Sequence, residues 1–169
     1  MGASAWIYFV PYQPDINKAL QALREEVFRS GKYFKIQHSA WDDNNISVPL
    51  PPELIDTLRE EANYYASLPE PKSPDELLHY NAAAGTHSII DITRVSASPE
   101  FGSASPLAPQ ELFTIFGTEK PTRAVIDKIG ENQLFTHVTE LRQRWEGAYI
   151  IVYKDEQPDE ILFIGFSGD

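Results

Sequence analysis

The sequence predicts an α+β fold: a mixed or mostly antiparallel sheet of about four strands, helices packed against it, and a C-terminal β-hairpin. Three observations point there. Short β-branched and aromatic runs at residues 5–10, 88–95, 148–153 and 161–166 read as strands. Between them, apolar residues recur at helical spacing behind plausible capping residues. The resulting order, β-α-loop-α-α-β-α-α-β-β, does not repeat a βαβα rhythm, which argues against a doubly wound parallel sheet.

The first strand, Trp6-Ile7-Tyr8-Phe9-Val10, is closed by Pro11 and reads as buried on both faces or nearly so. Asp15 then offers an N-cap to a helix carrying Ile16, Leu20, Leu23 and Val27, with Gly31 as its stop. Residues 33–36 suggest a short strand, and residues 38–45, with Trp41, Asp42, Asp43, Asn44 and Asn45, a polar loop. Pro51-Pro52 opens a helix with a stripe of Leu54, Ile55, Leu58, Ala62 and Tyr65. Ser73, Pro74 and Glu76 form a helix start, serine capping and glutamate completing a capping box. Ile89-Ile90-Asp91-Ile92-Thr93-Arg94-Val95 is the second strand.

Residues 97–109 mix Ser, Pro, Ala and Gly and read as a surface loop. Pro109 opens a short helix stopped by Gly117, and Pro121 opens another. Leu134, Val138, Leu141 and Trp145 continue at helical spacing to Gly147, with Gly130 able to kink or split the region. The two closing strands form a hairpin around a polar turn of about five residues, 155–159. Both strands are continuously apolar, so both faces of the hairpin should be covered, one by helices and the other by a partner subunit.

With 169 residues the chain fits one domain, 1–169, with no repeat, low-complexity tract or linker. It has no cysteine, which excludes a thiol nucleophile and iron–sulfur ligation. Residues 1–10 show neither a basic n-region nor a long apolar h-region, and no stretch is long and apolar enough to span a membrane. The expectation is a cytoplasmic protein without membrane contact. The net charge of −11 is spread along the chain, which repels phosphate backbones and argues against nucleic acid.

No specific catalytic, nucleotide or metal motif appears, and no metal or cofactor is expected. His38, His79, His87 and His137 include no pair at helical i,i+4 spacing. Gly165-Phe166-Ser167-Gly168 lacks the helix that follows a nucleophile elbow. Asp42-Asp43-Asn44-Asn45 lacks the spaced ligands of a calcium loop. Asp91 and Arg94 are different: polar residues inside an apolar strand, where aspartate is depleted. If the strand is central, Asp91 must be hydrogen-bonded or paired, and Arg24 or Arg29 of the first helix could partner it. Arg94 would project from the opposite face. Together with Tyr12, Arg29 and Tyr33 they outline a polar pocket between the first helix and the sheet.

The segments at residues 6–13 and 19–33, Ile90-Asp91-Ile92-Thr93-Arg94-Val95, and those at residues 116–123 and 153–161 resemble a group of small bacterial proteins without an assigned activity. The resemblance implies a bacterial, cytoplasmic setting and carries no functional residue.

Three functions follow as expectations. The leading one is a non-enzymatic acidic protein-binding or regulatory module, pairing with a basic protein or forming a homodimer through an open face of the hairpin. The second is a small-molecule-binding protein or enzyme using Tyr12, Arg29, Tyr33, Asp91 and Arg94. The third is an inhibitor of the immunity or antitoxin kind, which shares the acidic surface.

Overall fold

A computed structural model describes residues 4–35, 50–82 and 84–168. Its elements are β1 (Ala5–Pro11), α1 (Ile16–Ser30), α2 (Pro52–Ser67), α3 (Pro74–Tyr80), a 3-10 turn (Ile89–Asp91), β2 (Arg94–Val95), β3 (Ser103–Pro106), α4 (Pro109–Phe116), α5 (Arg123–Ile129), α6 (Glu131–Leu141), β4 (Glu146–Lys154) and β5 (Gln157–Phe166). The fold is α+β, with a mixed sheet of five strands rather than four, in the order β1-β5-β4-β3-β2. β1, β5 and β4 pair antiparallel; β3 and β2 join in parallel.

The hairpin lies in the middle of this sheet, and its unbroken apolar sequence serves two interiors by simple alternation. Ile161 and Phe163 of β5 face one cluster; Leu162 and Ile164 face the other. The first cluster is closed by α1 through Ala19, Leu20, Leu23 and Val27, by α3 through Leu77, and by Ile89, Ile90 and Ile92. The second is closed by α4, α5 and α6 through Phe116, Ile126, Leu134 and Val138. Helices of the same chain therefore cover both faces, including the one expected to meet a partner subunit.

The hairpin turn is also tighter than anticipated. Lys154 pairs with Gln157, leaving only Asp155 and Glu156 between the strands, with φ of 49° and 61°. Two consecutive positive φ values are the signature of a type I′ turn, whose twist matches that of the strands it joins.

Capping follows the sequence closely. Asp15 accepts from the Lys18 N–H at 2.9 Å, and Gly31 ends α1 with φ 68°. Ser73 accepts from the Glu76 N–H at 3.2 Å; Glu76 reaches back to the Lys72 N–H rather than to that of Ser73. Gly130, with φ 79°, separates α5 from α6.

Four expectations are corrected. Residues 88–95 form a 3-10 turn and a strand of only two residues, because Ser88 accepts from the Ile90 N–H and draws the chain out of the extended form. Residues 103–106, read as surface loop, are strand β3; its small Ser103, Ala104 and Ser105 are fully buried beside β4. Helix α6 ends at Leu141, and Trp145 lies in a turn with φ 64°. Residues 33–35 form no strand; Ile36 and the polar loop 38–45 lie outside the described residues. Among the described residues no helix is long and apolar enough to cross a membrane.

Candidate functional site

The site is built where the 3-10 turn, the end of α3 and the turns before β3 and β4 meet. Asp91 is its centre, 1 % exposed. One carboxylate oxygen, Oδ1, accepts from the Thr86 N–H at 2.6 Å and the Thr86 hydroxyl at 2.7 Å. The other, Oδ2, accepts from the Ser167 hydroxyl at 2.6 Å. Since the Thr86 proton is committed to Asp91, the Ser88 hydroxyl donates to Thr86 across their 2.8 Å contact. Burial raises the Asp91 pKa above the usual carboxylate value; the hydrogen bonds from Ser167 and Thr86 and the nearby His87 work in the opposite direction. The Tyr8 hydroxyl is likewise raised, by burial first and then by the Asp91 charge, while a backbone hydrogen bond from Ile89 works in the opposite direction.

Neither expected arginine pairs with Asp91. Arg24, 3 % exposed, turns to Asp75 at 2.6 Å and to Gln21 at 2.8 Å, and both its Nε and an Nη donate to the Ile90 carbonyl at 3.3 and 3.2 Å. Gln21 in turn donates to the Thr93 carbonyl at 2.9 Å, and Asn17 accepts from the Val95 N–H at 3.1 Å. One polar edge of α1 thus holds the 90–95 segment through its backbone. The chain needs this because a two-residue strand leaves most of that backbone without ladder partners.

Beside Asp91 opens a cleft of about 530 Å³, within the range of small-molecule sites. Its walls are mostly apolar. Leu78, His79 and Ala82 come from α3 and its end, Phe101 and Gly102 from the turn before β3, and Trp145 from the turn before β4. Phe101 and Trp145 form an aromatic pair with ring centroids 5.4 Å apart, and Phe101 is 69 % exposed at the cleft's mouth. Backbone bonds lock the turns together: the Gly102 N–H donates to the Trp145 carbonyl at 2.7 Å, and the Trp145 N–H to the Phe166 carbonyl at 3.1 Å. Arg94 stands at the cleft's polar side, held by Glu100 at 3.0 Å.

Of the five residues singled out from sequence, two meet here. Asp91 and Arg94 share the cleft, because the 3-10 turn abolishes the alternation that would have sent them to opposite faces. The other three lie elsewhere. Tyr12 lines a separate depression with Val10 and Glu26. Arg29 is exposed and lies 3.8 Å from Glu25. Tyr33 stacks on Phe28 at 5.9 Å. The cleft that brings Asp91 and Arg94 together therefore lies between α3 and the 101–102 and 145 turns, rather than between α1 and the sheet. Thr86, Ser167, Phe101 and Trp145 were missed. Their one legible signal is a surplus of aromatic and hydroxyl side chains next to glycines at Phe101-Gly102 and Phe166-Ser167-Gly168. Among the described residues no three His, Asp or Glu side chains converge as a metal-ligand set.

No protein-family model, curated protein or solved structure matches the chain.

Proposed function

We propose that the protein binds a small organic molecule in the cleft beside Asp91. The observation that carries this reading is the coincidence of an apolar cavity, an exposed aromatic ring at its mouth and a buried carboxylate at its inner wall. A large apolar concavity with a few convergent polar groups is the usual form of a ligand site. The second of the three functions expected from sequence is thus favoured, at a different place in the fold. The test is a fragment screen by ¹H–¹⁵N NMR that follows the indole N–H of Trp145 and the amide of Gly102. Fragments are expected to shift both signals, and Ala82→Trp, which fills the cleft from an exposed position, to abolish the shifts. A screen that moves neither signal would overturn the reading.

A second reading, docking of a basic protein partner, draws on α2. This helix buries none of its residues fully, exposes Leu54 and Tyr64, and carries Glu53, Asp56, Glu60 and Glu61 against Arg59. Apolar side chains ringed by acidic ones suit a basic surface. Such binding would weaken as salt rises and disappear in the Leu54→Glu/Tyr64→Glu double variant.

A further inference from the structure

We infer that the ligand of this cleft is a protonated amine carried on an apolar, ring-bearing body. The inference rests on the cleft being a binding site and adds the charge of what it takes. Charge bookkeeping at the walls leads to it. Asp75 is matched by Arg24 at 2.6 Å, and Arg94 by Glu100 at 3.0 Å, so both pairs are closed within the protein. Asp91 differs from both: among the described residues no lysine or arginine forms an ion pair with it, its hydrogen-bond partners Thr86 and Ser167 are neutral, and the one cationic group that acts on it is the nearby His87.

An ionised carboxylate offers about four acceptor positions. The amide and hydroxyl of Thr86 occupy two on Oδ1, and the Ser167 hydroxyl occupies one on Oδ2. Among the described residues, one position on Oδ2 is left for a further donor. Burial withholds solvent from the carboxylate while its charge still acts on the cleft, where low-dielectric walls focus the field. An ammonium group drawn to the inner end would place a permanent positive charge beside Asp91, in addition to that of His87. A planar apolar body would then lie toward Phe101 and Trp145, whose ring faces also attract cations. An anionic ligand would need Arg94, which would have to leave Glu100, and would bring a second negative charge beside Asp91. The net charge of −11 disfavours that approach as well.

The test compares three probes with one ring system: tryptamine, its alcohol counterpart tryptophol, and indole-3-propionate. Calorimetry gives affinity, and the ¹⁵N-edited indole signal of Trp145 reports where each probe binds. Tryptamine is expected to bind about tenfold tighter than tryptophol, the scale of a charge-assisted hydrogen bond plus ring contact, with indole-3-propionate weakest. Asp91→Asn should bring tryptamine and tryptophol to equal affinity; if that variant does not fold, the wild-type series decides alone. Equal affinity for amine and alcohol in the wild type, or tighter binding of the acid, overturns the inference while leaving the cleft a ligand site. If no probe moves Trp145 although fragments do, the inference again falls and the cleft reading stands. If fragments also fail, both fall.

Discussion

Leu162 and Phe163 are neighbours on β5, both fully buried, and they look into two different interiors. Leu162 faces an apolar cluster supplied by α4, α5 and α6 through Phe116, Ile126, Leu134 and Val138. Phe163 faces α1, α3 and the 3-10 turn, and beyond that apolar layer lie Asp91, Arg24, Ser88 and Thr86, all buried and all hydrogen-bonded. The first interior is closed by packing. The second gives up regular strand structure at residues 88–93 and holds the chain there with side-chain-to-backbone bonds. The cleft opens beside the second, where chain direction is set by polar bonds instead of by a ladder. Buried polar networks cost folding energy that hydrocarbon would not; most of them lie on the second side, while the first holds the buried Arg142, which donates to the Leu141 and Pro106 carbonyls.

The contrast can be broken at its strongest point first. Leu162→Ala should cost about 2–5 kcal/mol, read from denaturant unfolding, because a fully buried leucine is removed from the apolar cluster. Ligand binding in the cleft should survive under native conditions. A cost well below 1 kcal/mol would mean that this interior is looser than its burial implies.

On the polar side, Arg24→Ala should cost about 1–3 kcal/mol, mostly by leaving the Ile90 carbonyl without its donors rather than by loss of the pair with the exposed Asp75. Asp75→Asn, which spares those carbonyl bonds, should cost much less. Equal costs for the two variants would show that the ion pair, not the backbone bond, holds the 90–95 segment.

The smallest effect concerns pH. Burial raises the Asp91 pKa in the folded protein above its unfolded value, so between those values the folded state binds the extra proton. The stability this group contributes is fully present below the unfolded pKa and is lost as pH rises through the raised folded one. Melting temperature followed against pH in wild type and Asp91→Asn should therefore show wild type losing ground to the variant as pH rises across that window. A difference that is constant with pH would mean that Asp91 does not titrate differently on folding.

How legible was this in the sequence? The strands β1, β4 and β5 and the helices α1 and α3 could be read because each follows one rule: unbroken apolar runs, 3.6-residue stripes, or a capping residue at the right offset. β3 could not, since Ser103-Ala104-Ser105 has the composition of a turn, and only its place beside β4 makes it a buried strand. Residues 88–93 failed for the opposite reason. Their β-branched composition is right for a strand, but Ser88, Thr86 and Asp91 bond locally and win. At the site, an aspartate among isoleucines was enough to single out Asp91. Its partners Thr86 and Ser167 and the wall residue Trp145 were not legible, because contacts across 76 residues and a positive φ at a tryptophan leave no local pattern.

The hairpin turn carries a last consequence. Asp155 and Glu156 both sit in the left-handed region without being glycine, a strained choice at the tip of the strands that divide the two interiors. Substituting Asn-Gly there relieves the strain at a spot remote from the cleft. It would provide a sturdier background in which fragile replacements, Asp91→Asn among them, could be purified and assayed side by side with their parent.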